Sequence, residues 1–156
     1  MSNEMRHHPH TVESTYLVLA LVSVDGTMAA CADHGDAATL EVLSRYYALV
    51  ADTIAAAGGR VVKVMGDGVI ASFPRDHAAQ AVDVCRALQE IVTAHWQAFD
   101  ARCRARVVLG AGSLLSGRFG PPGQEREDLF GHTLNQLFRA PAGDVVLLPS
   151  IQALLQ

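Results

Sequence analysis

Hydrophobic positions change their period several times along this chain, and each change marks an element. Tyr16–Val24 (YLVLALVSV) is nine almost unbroken apolar residues. Such a run is well short of the roughly 20 residues that cross a bilayer and suits a central strand buried on both faces. It ends at Ser23-Val24-Asp25-Gly26, and Thr27–Gly35 reads as a small, polar loop. From Asp36 the period becomes helical. Leu40, Leu43, Tyr47, Val50 and Ile54 recur at alternating steps of three and four, one face of a helix. Asp36 suits the N-cap, and Gly58-Gly59 is a left-handed stop. Tyr46 and Tyr47 read as packing residues, because no basic groove accompanies them for base stacking.

Two short strands are predicted next, over 60–65 and 69–73, joined at Gly66-Asp67-Gly68. Asp-Gly between apolar runs is a strong hairpin signal. Pro74 ends the second strand and Asp76 is placed to cap a second helix. Ala78, Ala81, Val82, Cys85, Leu88 and Val92 line one side of that helix. Cys85 therefore reads as core, not nucleophile, and His77 and His95, near the helix ends, as boundary residues. A strand follows at about 104–111, leading into a glycine-rich stretch from Gly110 to Gly120. With no P-loop lysine and no GxGxxG spacing, these glycines need not cradle phosphate. Pro121-Pro122-Gly123 and Gln124–Glu127 read as a turn-rich protrusion, 132–139 as a short helix, Val145–Leu148 as a last strand and Ile151–Leu154 as a last helical turn.

The order is β-α-β-β-α-β with additions. This is the split βαβ, ferredoxin-like arrangement, an α/β (α+β) sandwich with a mostly antiparallel sheet and two helices on one face. It sets the exit of the first strand beside the 66–68 turn, so Ser23, Asp25 and Asp67 are expected to lie close together.

Composition narrows the function. With 156 residues, half of them apolar and 18% charged, the chain fits one globular domain. We place that domain at 16–156, after a polar, flexible tail over 1–15. His7, His8 and His10 flank Pro9 in that tail; three close histidines are a metal motif, and a frayed terminus is the plainer reading. A net charge of −4 without a basic cluster argues against nucleic acid. Cys31, Cys85 and Cys103 form no CxxC pair, as in a reduced, cytoplasmic protein. No run suits a membrane span, and the N-terminus lacks a signal-peptide apolar region.

The chemistry centres on the hairpin. Its turn fixes the Asp67 carboxylate at the tip, and Lys63, four residues back, shares a face with Met65 and Asp67. This pairing makes a phosphate-and-metal corner; it equally reads as a surface hairpin with solvated charges.

Several short motifs in order resemble the catalytic domain of class III nucleotidyl cyclases, the adenylate and guanylate cyclases, over residues 16 to about 148. The family's glycine pair, lysine, Gly-Asp-Gly turn, alanine and phenylalanine stand here as Gly58-Gly59, Lys63, Gly66-Asp67-Gly68, Ala71 and Phe73. Its spaced glycines are Gly112, Gly117 and Gly120, and its last motif is Asp128, Gly131, His132, Asn135 and Arg139.

The resemblance implies conversion of a nucleoside triphosphate to a 3′,5′-cyclic monophosphate and pyrophosphate in signal transduction, with two metal ions, Mg2+ or Mn2+, on the reacting oxygens. Lys63 and Asp128 match the base-reading pair. An ammonium donates to adenine N1 and a carboxylate accepts from the 6-amino group, whereas guanine presents the opposite pattern; the implied substrate is ATP. Asn135 matches the ribose-orienting residue, Arg139 the one that offsets charge on the phosphates, and Gly26 the loop glycine of the substrate site. Asp67 matches one metal carboxylate.

Departures accompany the matches. Ser23 stands where the other metal carboxylate belongs, and Asp25, on the same face, is the candidate substitute. Thr27 and Met28 replace Phe-Thr. His132 replaces a capping Asp, leaving Thr133 to cap. A few residues are missing after Arg139, and the sequence stops at Gln156, ahead of the strands where the family supplies a phosphate-binding lysine.

Family members pair, each site taking its metal carboxylates from one subunit and its base-reading residues, Asn and Arg from the other. Three readings follow: an adenylate cyclase with a weakened metal site, acting as a homodimer; a subunit completing a site in a heterodimer with a two-carboxylate partner; or an inactive cyclase-homology module for nucleotide binding or protein interaction. No GGDEF-like run supports a diguanylate cyclase. The 117–127 protrusion is a candidate dimer arm.

Overall fold

The long apolar run becomes the middle strand of one sheet. In the computed structural model, which describes residues 12–156, β1 spans Glu13–Asp25, three residues earlier than predicted. His7, His8 and His10 lie outside the described residues. Then come α1 (Thr27–His34), α2 (Asp36–Ala56), β2 (Arg60–Met65), β3 (Gly68–Pro74), α3 (Ala78–Gln97), β4 (Arg104–Phe119), β5 (Arg126–Phe130), α4 (His132–Phe138), β6 (Val145–Leu147) and α5 (Pro149–Gln152). The sheet runs β2-β3-β1-β4-β5, all antiparallel, and β6 adds to β4 in parallel.

Alternation along β1 explains its unbroken hydrophobicity. Val18, Ala20, Val22 and Val24 pack with Tyr46, Val50 and Ile54 of α2 and with Cys85, Leu88, Val92 and Trp96 of α3. Leu19 and Leu21 face the other way, into a smaller core with Ile70, Val108, Leu134 and Leu137. Helices α2 and α3 thus cover one face, as predicted, and α4 covers part of the other. Fully burying a Leu or Val contributes about 1.5–3 kcal/mol, so a strand apolar on both sides is stable only where both are covered. Among the described residues no helix is long and apolar enough to cross a membrane.

Four local expectations are corrected. Thr27–His34 is a helix, not a loop; its small residues lack an apolar period, yet alanine is the best helix former. Asp36 is the first residue of α2, and Gly35, with no side-chain bond, precedes it; the carboxylate sits instead where the helix dipole favours it. The stripe of α2 turns so that Tyr46 is fully buried and Leu40 is 60% exposed. Asp76 lies in a 3-10 turn (Arg75–His77), and His77 is the residue before α3.

The 117–127 protrusion also gains definition, because β4 runs on to Phe119 and pairs with β5 to form a hairpin. Gly110 and Gly112, earlier on β4, serve packing. A Cβ on Gly112 would come 2.1 Å from Thr133 Oγ1, so only glycine lets α4 lie this close to β4. Thr133 is therefore buried beneath α4, and neither it nor His132 caps that helix.

Candidate active site

The β2–β3 turn is a two-residue loop, Gly66-Asp67, between the paired Met65 and Gly68. Gly66 has φ 60, the left-handed conformation such turns require. The β2–β3 register slips between Val61 and Lys63, a bulge that sequence reading missed. Bulges re-aim side chains, and past this one Lys63 pairs with Ile70, which in turn pairs with Leu21. Lys63 consequently shares a face with Leu21 and α4.

Lys63 Nζ lies 3.0 Å from Asp128 Oδ1 and 3.2 Å from Oδ2. β2 and β5 are opposite ends of the strand order, and this ion pair joins them. The Leu129 amide donates to Asp128 Oδ1 at 2.7 Å and fixes the carboxylate. Both side chains stay about a third exposed, 29% and 33%, leaving donor and acceptor capacity for a ligand. Beside Asp128 a cavity of about 400 Å3 is lined by Arg60, Val62, Ser116, Arg118 and Glu127 among others. That volume falls in the range of small-molecule sites.

Asp67 is held from the side chain outward. Thr27 Oγ1 donates to its Oδ2 at 3.0 Å, tying the turn to the first residue of α1. Gly26 just before has φ 91, and a Cβ there would come 2.7 Å from the Arg102 carbonyl. Close packing therefore requires this glycine independently of any substrate. Above the turn, the buried Tyr46 hydroxyl donates to the Asp67 carbonyl at 2.8 Å, and the Tyr47 hydroxyl donates to the Gly66 carbonyl. Burial first, then the Asp67 charge, pushes the Tyr46 phenol well above its ordinary range, so it remains a donor. Nothing in the helical spacing announced that two consecutive tyrosines would converge on one turn.

Pairing of β1 with β3 ends at Val22 opposite Val69, one step before Ser23. The strand exit and the turn are neighbours, as expected. Asp25 is exposed and lies beyond that ladder, opposite Arg104 of β4. Among the described residues no three His, Cys, Asp or Glu side chains gather to hold a metal. The oxygen donors are of the kind a hard cation takes, but Ser23 is neutral, Asp67 accepts from Thr27, and Asp25 stands opposite Arg104 beyond the β1–β3 ladder. Mg2+ commonly takes one or two carboxylates with water and phosphate oxygens, so the Asp67 carboxylate has the chemistry of one such ligand.

Asn135 and Arg139 are both exposed, at α4 and just past its end. One helical turn apart, they share a side, and Arg139 borders a cleft with Pro141, Leu148 and Ser150. Among the described residues no hydrogen bond or ion pair joins either one to Lys63 or Asp67.

No protein-family model matches the chain, and no curated protein matches it in sequence. Solved structures do. The adenylyl cyclase CyaB from P. aeruginosa aligns with TM-score 0.83 and 18% identity over 93% of this chain and 82% of that one. A bacterial light-regulated adenylyl cyclase gives 0.79 and 17% over 94% of this chain, which spans only 46% of that chain. The guanylate cyclase domain of RhGC from Catenaria anguillulae, in complex with GTP, gives 0.78 and 16% over 92% and 84%. The chain has the catalytic-domain fold of the class III adenylyl and guanylyl cyclases.

Proposed function

We propose that this domain converts ATP to 3′,5′-cyclic AMP and pyrophosphate within a two-chain assembly in signal transduction. The observation that carries this reading is the Lys63–Asp128 pair, closed at 3.0 Å beside a cavity. Its ammonium donates to adenine N1 and its carboxylate accepts from the 6-amino group; guanine offers the reverse pattern to both.

In the reaction the ribose 3′-oxygen attacks the α-phosphorus, the bond from that phosphorus to the bridging oxygen breaks, and pyrophosphate leaves. Asn135 orients the ribose, and Arg139 offsets negative charge growing on the phosphates. Gly26 and the start of α1 border the phosphate region. A bound Mg2+ or Mn2+ would be held by Asp67 with Asp25 and would supply charge neutralisation at the phosphates.

An exposed apolar set supports assembly. Phe130 is 66% exposed, Phe138 51%, Met65 43% and Leu115 42%, on β5, α4, the hairpin and β4. Side chains of this size left uncovered suit the interface a shared site requires.

A second reading, a heterodimer subunit completing the site of a two-carboxylate partner, is favoured by Ser23 and by the position of Asp25 opposite Arg104. Both readings are tested by ATP titration calorimetry on the chain and on Lys63→Ala. ATP is expected to bind and the variant to lose about tenfold or more in affinity; equal binding of ATP and GTP, or none, refutes the adenine assignment. Product formation by the wild-type chain alone then separates the two, since the homodimer turns over unaided and the complementing subunit stays silent until Ser23→Asp restores a second carboxylate.

A further inference from the structure

We infer that Tyr46 and Tyr47 are positioning residues that hold the Gly66–Asp67 turn so that the Asp67 carboxylate is presented to the cleft. The inference rests on the reading of Asp67 as the cation-holding carboxylate.

Consecutive residues on a helix point about 100° apart, so adjacent side chains seldom serve one target. Here both hydroxyls end on successive carbonyls of one turn, Tyr47 on Gly66 and Tyr46 on Asp67. Fixing two successive carbonyls fixes two successive peptide planes, and with them the direction of the Cα–Cβ bond of Asp67. The same Tyr46 hydroxyl lies 3.5 Å from the Val22 carbonyl on β1. One side chain of α2 thus touches both the turn and the strand whose exit faces it, the two backbone segments whose relative placement sets the site.

Two further contacts keep the device stiff. The Tyr46 ring packs edge-on against Trp96 of α3 at 5.7 Å and is fully buried, so the hydroxyl is carried by the main core and not by a mobile surface group. At the other end of Asp67, Thr27 Oγ1 holds Oδ2. Backbone and side chain of the same residue are therefore gripped from two different helices, α2 and α1. A surface turn with solvated charges needs none of this; a carboxylate that must meet a ligand in one geometry does.

The test uses the full chain carrying Tyr46→Phe, Tyr47→Phe or both, each change removing only a hydroxyl. Amide hydrogen exchange at Met65 and Gly68, the ladder pair beside the turn, is expected to quicken about tenfold in the double variant, with α3 and β4 protected as in wild type. With Mn2+ and ATP, kcat is expected to fall about tenfold and KM to stay within about twofold of wild type, because Lys63 and Asp128 are untouched. Unchanged exchange at the turn in the folded double variant overturns the inference. So does an unchanged kcat in an active chain, or protection lost evenly across the core. A wild-type chain that forms no cyclic AMP, alone or with a two-carboxylate cyclase domain, defeats the cyclase reading instead; the exchange result then still decides whether the hydroxyls hold the turn.

Discussion

Under the proposed function, Lys63 and Asp128 serve recognition more than stability. Both remain partly in water, and exposed ion pairs are worth about 0–1 kcal/mol. Lys63→Ala is therefore expected to shift thermal unfolding by at most a few degrees while sharply weakening ATP binding, a contrast that differential scanning calorimetry and titration on one sample resolve. Cys85 illustrates the opposite case. Burial pushes its thiol up to about 12, and a thiol reagent at neutral pH is expected to leave it unmodified in the folded chain and to react on denaturation. Modification of Cys85 in the native state would remove it from the core. Helical spacing already placed Cys85 in the core, where the structure has it, and a motif singled out Lys63. The sequence did not reveal the tyrosine hydroxyls, because periodicity reports which way a ring faces and says nothing of where its hydroxyl ends.

At the scale of elements, α1 is the one whose placement the site depends on and the one sequence reading mistook for a loop. Its small residues carry no apolar stripe, and its position is set instead by contacts remote in sequence. Gly26 packs on the Arg102 carbonyl at its start, and at its end Asp33 and His34 meet Arg102 and Asp100. Gly26→Ala is expected to cost about 1–3 kcal/mol, from a side chain forced into the left-handed region and against backbone, and to slow any turnover with it. Urea unfolding measures the first; a neutral result would show that the turn relaxes.

The α1 clasp is also pH-dependent. Hydrogen bonds from Arg102, first its side chain and then its backbone, with a smaller one from His34, hold the Asp100 carboxyl well below the usual carboxylate range. A depressed carboxylate contributes stability that is complete above its unfolded pKa of about 3.9 and is lost as pH falls below that value. Protection of the α1 amides, each rate taken relative to its intrinsic rate at that pH, is accordingly expected to fall on acidification below about pH 4, and Asp100→Asn to show the lowered protection already at neutral pH. A wild-type pH profile retained in that variant would assign the effect to another group. The other elements were legible because their burial follows their own spacing: β1 by its unbroken run, α3 by its stripe, the hairpin by Asp-Gly. β5 and the second half of β4 escaped notice, since glycine, proline and charged residues there serve hairpin geometry and the close approach of α4, which only the folded chain makes visible.

For the whole molecule, the fold joins Lys63 of β2 to Asp128 of β5, holds the Gly66–Asp67 turn against α1 and α2, and leaves Phe130 and Phe138 exposed. A second chain that covers those phenylalanines would bring complementary halves together. Phe130→Asp is expected to leave the monomer folded and to weaken self-association by about tenfold or more, read by analytical ultracentrifugation; unchanged association would put the interface elsewhere. The resemblance in fold extends over nearly all of the chain at 16–18% identity. That is enough to fix architecture, and it leaves chemistry to the residues at the turn.

The most direct test of that chemistry is the cyclic nucleotide formed from an equimolar mixture of ATP and GTP with Mn2+, by the chain alone and with a cyclase domain that carries both metal carboxylates. Cyclic AMP in excess over cyclic GMP in at least one of the two, abolished by Lys63→Ala in this chain, is the predicted result. No product in either, or product whose base preference ignores Lys63, would contradict it.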